Sequence, residues 1–205
     1  AEGDGYWLRW FTPTVEVDLC GHATLASAHV LFCESGHGGE IAFKTRSGVL
    51  TCRREDDRIE MDFPSEAPYA EPLPTSIRGL NPKWTGRNRM DWFVQVGSFE
   101  EVIDLEPPLA QIAELGLRGL IVTAEGGEGV DFTSRCFFPQ SGVDEDSVTG
   151  SAHCALAPFW AERLSKSSLA GYQASKRGGT VRCVVKDERI LLQGQAFTTL
   201  KGNLI

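Results

Sequence analysis

The chain is written twice, and that duplication constrains its fold more than any other feature. "LCGHATLASA" at residues 19–28 returns as "VTGSAHCALA" at 148–157. Aligned on Gly21 and Gly150, an offset of 129 residues, the two runs share alanines at 23/152, 26/155 and 28/157. "RWFTP" (9–13) stands ahead of the first run and "RCFFP" (135–139) ahead of the second. Behind them come "SGVLTCRREDDRIEM" (47–61) and "GGTVRCVVKDERILL" (178–192). At an offset of 131 these match Gly48/Gly179, Cys52/Cys183, Asp56/Asp187, Arg58/Arg189 and Ile59/Ile190. Three echoes in one order mean a twofold internal repeat; a solenoid needs three or more units.

Each copy predicts the same unit. "YWLRWF" and "VDFTSRCFF" are rich in the aromatic and branched residues of strands, and each is ended by a proline that stops sheet pairing. Gly21 and Gly150 open helices whose small residues, at i, i+3 and i+5, make a slim face for a sheet to wrap. "GVLTCRRE-DD-RIEMDF" and "GTVRCVVK-DE-RILLQG" are hairpins with acidic turns. The expected fold is therefore α+β, with two pseudo-symmetric halves. Each half is a barrel-like, mostly antiparallel sheet around a central helix, and the cleft lies between them.

Residues 63–89 hold five prolines, Pro64, Pro68, Pro72, Pro74 and Pro82, and read as a linker with one helical turn. This divides the chain into an N-terminal half with linker, 1–88, and a C-terminal half, 89–205. The second half has a lead-in: a strand at "DWFVQV", a helix near "PPLAQIAELG" and a strand at "LIVTAEG". The first copy shows no counterpart, and the chain opens on Ala1 with Met61 and Met90 its only methionines. The repeat thus predicts about 40 to 60 further residues ahead of Ala1.

A 205-residue chain with 41% hydrophobic and 23% charged residues is an ordinary globular protein, able to bury roughly 70% of its unfolded surface. A net charge of −8 argues against a nucleic-acid face and against an anionic membrane surface. No apolar run approaches the ~20 residues of a membrane span, and no secretory signal is expected. Six scattered cysteines form no C-x-x-C pair and no metal spacing with the four histidines. A reduced, cytoplasmic protein with no zinc site and no disulfide framework is expected.

A helix start offers free N–H donors and about half a positive charge to an anion, and glycine lets the ligand come close. Two such starts facing one cleft make a cradle for a small anionic substrate. Taken singly, each glycine is explained by a tight strand-to-helix turn. The polar residues directly after both glycines, His22 and Ser151, favour the cradle. Asp146 of "VDEDSVTGSAH" lies five residues ahead of Ser151, where a carboxylate can orient a substrate amine, relay a proton or cap the helix; the sequence leaves these open. His22 is likewise either a working group or a satisfied structural histidine. His29 and His37 carry no companion motif, and His153 lies on the helix body. Cys20 and Thr149 match directly before the glycines. Two thiols there suit a two-base racemase; threonine cannot serve, so that chemistry is disfavoured. Cys20 itself is expected to be a buried, inert thiol rather than one activated at a helix start.

"RWFTPTVEVDLCGHATLASAHVLF", "FFPQSGVDEDSVTGSAH" and "QASKRGG" together resemble the PhzF-like, phenazine-biosynthesis-type isomerases, whose distant relatives are diaminopimelate epimerase and proline racemase. The resemblance spans nearly the whole chain and implies the diaminopimelate-epimerase-like fold. It implies isomerisation by acid–base proton transfer with no metal and no organic cofactor, and a homodimer. It assigns His22, Asp146 and Ser151 to catalytic positions, and Cys20, Gly21, Ala23, Thr149 and Gly150 to the binding of a small carboxylate substrate. It also implies a main proton-shuttling glutamate in a "SETAF"-type motif upstream of the R-W-F-T-P strand. Glu2 and Glu16 do not match that motif. An isomerase is the first expectation. A noncatalytic carboxylate-binding or interaction module of the same fold is the alternative, and an epimerase or racemase the weaker one.

Overall fold

The duplicated sequence becomes duplicated structure. The computed structural model describes residues 5–12, 15–75, 77–127 and 129–203. The first copy runs β1 (Tyr6–Trp7), β2 (Trp10–Phe11), β3 (Glu16–Val17), α1 (Gly21–Glu34), β4 (Ile41–Thr45), β5 (Gly48–Glu55) and β6 (Arg58–Pro64). Next come β7 (Tyr69–Ala70), β8 (Trp84–Arg87), β9 (Asp91–Gln95), α2 (Phe99–Ile103), α3 (Leu109–Ala113) and β10 (Gly119–Glu125). The second copy runs β11 (Phe132–Phe137), a 3-10 turn at Pro139–Ser141, α4 (Gly150–Leu164), β12 (Ser168–Gln173), β13 (Gly179–Lys186) and β14 (Arg189–Gly194).

One twelve-stranded sheet has the order β1-β4-β5-β6-β14-β13-β12-β11-β10-β9-β8-β7, and β2 pairs with β3 apart from it. The order reads the same outward from its β6–β14 seam: a hairpin, a third strand, then a parallel neighbour, β1 beside β4 and β11 beside β12. On the seam Met61 faces Leu192, its own counterpart at the offset of 131, so the internal twofold passes through that pair. Each copy thereby covers the edge that the other would leave unpaired. The hairpin turns match too. Asp56 and Asp187 adopt left-handed backbone, φ 54° and 51°, which aspartate tolerates better than most residues.

The two helices are not equally buried. α1 buries one stripe, Gly21, Thr24, Ala28 and Phe32, whereas α4 is buried on nearly every face. Phe43, Phe63, Phe132, Leu156 and Trp160 fill the main core around both. Pro158 lies inside α4 and cannot donate to the Cys154 carbonyl; the Glu66 N–H does so instead, at 3.0 Å.

Residues 63–89 correct the expectation of a linker with one helical turn. Their described residues contain no helix; they carry β7 and β8, and β8 pairs with β9. The prolines stop at Pro82, and Trp84 and Thr85 beyond it are strand formers; β7, hemmed by Pro68 and Pro72, stays at the sheet edge. α2 is a further element that the sequence pattern does not mark. Ser98 starts it by accepting the Glu101 N–H. Pro13 lies outside the described residues, while Pro139 follows β11 as anticipated. Among the described residues no helix is long and apolar enough to cross a membrane.

Candidate active site

α1 and α4 meet head to head. A Cβ built on Gly21 would stand 2.7 Å from the Gly150 Cα, and one on Gly150 would stand 2.7 Å from the Gly21 Cα. The glycines are there because two backbones touch across the internal twofold. Cys20 and Thr149, the residues before them, are extended, and neither caps its helix with its side chain. The first-turn N–H groups of both helices are thus left for other partners. The residue four places on secures each turn. Thr24 Oγ1 donates to the Cys20 carbonyl at 2.6 Å, and its counterpart His153 donates through Nδ1 to the Thr149 carbonyl at 2.8 Å.

A cavity of about 480 Å³ opens at this contact. Cys20, Gly21, His22, Ala23, Asp146, Thr149, Gly150 and Ser151 all line it. Every site residue singled out from the sequence therefore reaches the same space. Arg118 and Phe138 complete the wall.

The loop ahead of α4 is clamped. Thr149 Oγ1 donates to Asp146 Oδ2 at 2.7 Å, and the Thr149 N–H donates to Gln173 Oε1 at 2.7 Å. Fully buried Gln173 returns its Nε2 to the Asp146 carbonyl at 2.7 Å and to Thr149 Oγ1 at 3.1 Å. Asp146 does not cap the helix, so of the roles left open by the sequence, capping drops out. Its acidic neighbour Glu145 is taken by Arg135 at 2.7 Å. Thr149 supplies a hydroxyl that steers the carboxylate, a task the thiol at Cys20 does not perform.

On the facing helix Cys20 is half-buried on the cavity wall, which corrects the expectation that it is buried. Its Sγ lies 3.6 Å from His22 Nε2. That hydrogen bond raises the His22 pKa above the usual value. Partial burial works against it, the Cys20 and Asp146 charges add to it, and the Arg177 charge opposes it. Among the described residues no cluster of ligands fits a metal ion.

Two residues of the cavity wall and its support are not marked by any motif in the sequence. Arg118 donates through Nη1 to Ser151 Oγ at 3.1 Å and stands 4.6 Å over the Phe138 ring. Asp91, fully buried, grips the same guanidinium through both carboxylate oxygens, at 2.8 Å to Nε and 2.5 Å to Nη2. The available signal was one charged residue at the mouth of each of two apolar strands: Asp91 opening "DWFVQV" and Arg118 just ahead of "GLIVTAE".

His153 is the second histidine of consequence. A carbonyl can only accept, so Nδ1 carries the proton, and buried Nε2 has no hydrogen-bond partner among the described residues. Burial lowers the His153 pKa to about 4 from 6.5. Between those values the unfolded chain takes up a proton that the folded chain refuses. Stability from this group is complete above pH 6.5 and drains as pH falls toward 4, by about 3 kcal/mol in all. In urea titrations between pH 7 and 4.5, His153→Thr, which restores the bond made by Thr24, is expected to flatten that slope whatever its stability at pH 7. An unchanged slope would remove His153 as its source.

The profile of the phenazine biosynthesis-like protein family matches residues 2–202. The chain belongs to the phenazine biosynthesis-like family. An uncharacterized isomerase of Halalkalibacterium halodurans is 47% identical over 209 residues, covering 98% of this chain and 79% of that protein. A crystal structure of a PhzF-family protein from Enterococcus faecalis superimposes with a TM-score of 0.86 at 40% identity, over 95% of this chain and 76% of its own. A hydroxyproline epimerase from Agrobacterium vitis, solved with trans-4-hydroxy-L-proline bound, has a TM-score of 0.60 at 13% identity, over 94% of this chain and 68% of its own. That last likeness shows the shared epimerase-like fold alone. Within the phenazine biosynthesis-like family, then, this chain has relatives named as isomerases.

Proposed function

We propose that the chain isomerises a small carboxylate-bearing molecule, cyclic or amino-acid-like, by acid–base proton transfer that uses its own side chains and no metal or organic cofactor. The observation that carries this reading is the Gly21–Gly150 contact. It sets two helix starts, Asp146 and His22 around one cavity. In this reading the substrate carboxylate lies on the first-turn amides and on Ser151 Oγ, where the two helix dipoles attract it. Asp146, steered by Thr149, takes a proton from an acidic carbon of the substrate. His22, with its pKa raised by Cys20, returns one at a second carbon, and the proton left on Asp146 passes back to His22 through water in the shared cavity, so substrate and protein both end with no net change in atoms or charge.

The test is hydrogen exchange in D2O. A panel of cyclic and amino-acid-like carboxylates is incubated with the protein, carbon-bound deuterium is read by mass spectrometry, and binding is read by calorimetry. One or more members should bind and exchange, and a chelator should not slow the exchange. Asp146→Asn and His22→Ala should each reduce exchange at least about 100-fold while leaving binding and the melting temperature nearly unchanged. Binding without exchange would make the protein a carboxylate-binding module. Wild-type exchange in both variants would strip these residues of their roles.

A further inference from the structure

A second cavity, of about 360 Å³, adjoins the first at Gly21, His22 and Gly150. Leu25, Met61, Val181 and Leu192 give it an apolar lining, and Arg177 stands in its wall. Arg177 is exposed and makes no hydrogen bond or ion pair among the described residues.

The duplication makes that isolation informative. At the offset of 131, Arg177 is the counterpart of Arg46. Arg46 is answered within its own copy, Nη2 lying 2.7 Å from Glu16 and Nη1 3.7 Å from Asp18. At the offset of 129, Asp18 corresponds to Ser147, which carries no charge. Glu16 corresponds to Glu145, and each is held by an arginine, Arg9 and Arg135, but only Glu16 takes a second one. Gln193 and Gln195 turn their Nε2 groups to Glu60 and Asp57, so those carboxylates are engaged too. One copy neutralises its arginine; the other leaves the same charge facing an apolar hollow.

We propose that this second cavity binds a monoanionic carboxylate with an apolar body, its carboxylate on Arg177 and its chain against Leu25, Val181 and Leu192. One guanidinium matches one carboxylate, which it can take in a two-pronged grip. At about 360 Å³ the cavity has room for a short aliphatic carboxylate. His22 lines both cavities, and a carboxylate on Arg177 cancels a positive charge that acts on that imidazole. Occupancy is therefore sensed in the first cavity. The proposal stands independently of any proton transfer at Asp146.

Hexanoate, acetate and hexanol serve as probes with the full chain, binding being followed by calorimetry and by amide chemical shifts. Hexanoate should bind more tightly than either acetate or hexanol, and should move the amide signals of Leu25, Val181 and Leu192. Arg177→Gln should weaken hexanoate about tenfold and leave the melting temperature unchanged, since the side chain has no partner to lose. Three results would each overturn the proposal: no hexanoate binding, equal affinity for Arg177→Gln, or shifts confined to Cys20, Asp146 and their neighbours. Loss of exchange activity in Asp146→Asn with hexanoate binding intact would separate the two sites.

Discussion

Alanine at Gly21 or at Gly150 is expected to destabilise the protein by about 3 kcal/mol, a fall in melting temperature on the order of 10 °C. In an ordinary helix the same change helps, because alanine exceeds glycine in helix propensity by about 1 kcal/mol. Here the new Cβ would stand 2.7 Å from a Cα on the opposite helix. No flexible side chain is present to step aside, so two packed helices must part. α1 is wedged on β5 and β6, and α4 on β12, β13 and β14, which opposes that movement. The internal twofold adds a demand that few point mutations face: the two variants should lose similar amounts. Gly38→Ala is the control. Its added Cβ meets nothing within 4 Å and its backbone is not left-handed, so stability should hold or rise slightly. Denaturant unfolding of the three variants decides the matter. A Gly21→Ala protein as stable as wild type would show that the helix starts do not touch, and the two-sided anion cradle would go with it.

Much of this architecture is legible in the sequence because duplication repeats the signal. A single "GHATLASA" is ambiguous between helix and loop. Read beside "GSAHCALA", with matched hairpins behind both, it becomes a helix start. The contact of Gly21 with Gly150 was not legible there: the sequence explains each glycine by a tight turn or by room for a ligand, and only the structure shows that each makes room for the other's backbone. Local pattern carries no comparable information about pairings distant in sequence. Asp91 and Arg118 are 27 residues apart, and only the parallel register of β9 and β10 brings them together. β7 and β8 were obscured by prolines whose restrictions end at Pro82, ahead of the strand-forming Trp84 and Thr85. His153 reads as one helix residue among others until the burial of α4 on nearly every face is known. The contrast between Arg46 and Arg177 lies beyond the sequence, where the two arginines match, because they differ only in their partners.

Arg118→Met should be the most costly single change at the candidate site, about 3–5 kcal/mol, because it strands Asp91. That carboxylate is fully buried at the start of β9 and has both oxygens on the one guanidinium. Methionine keeps much of the arginine stem's volume and removes only the charge and its donors, so the loss reports electrostatics more than packing. Removing both charges, Asp91→Leu with Arg118→Met, should recover most of the deficit, since a buried pair replaced by apolar groups of similar size is often neutral. Ser151 would still lack the donor that Arg118 Nη1 provides at 3.1 Å. The double variant should therefore fold at near wild-type stability yet bind carboxylates several-fold more weakly, whereas a purely structural pair would restore both together. Urea unfolding of the four proteins in the cycle, with calorimetry on those that fold, distinguishes these outcomes. A single Arg118→Met variant losing less than about 1 kcal/mol would mean that Asp91 finds water or another donor, and the guanidinium would then be serving Ser151 alone.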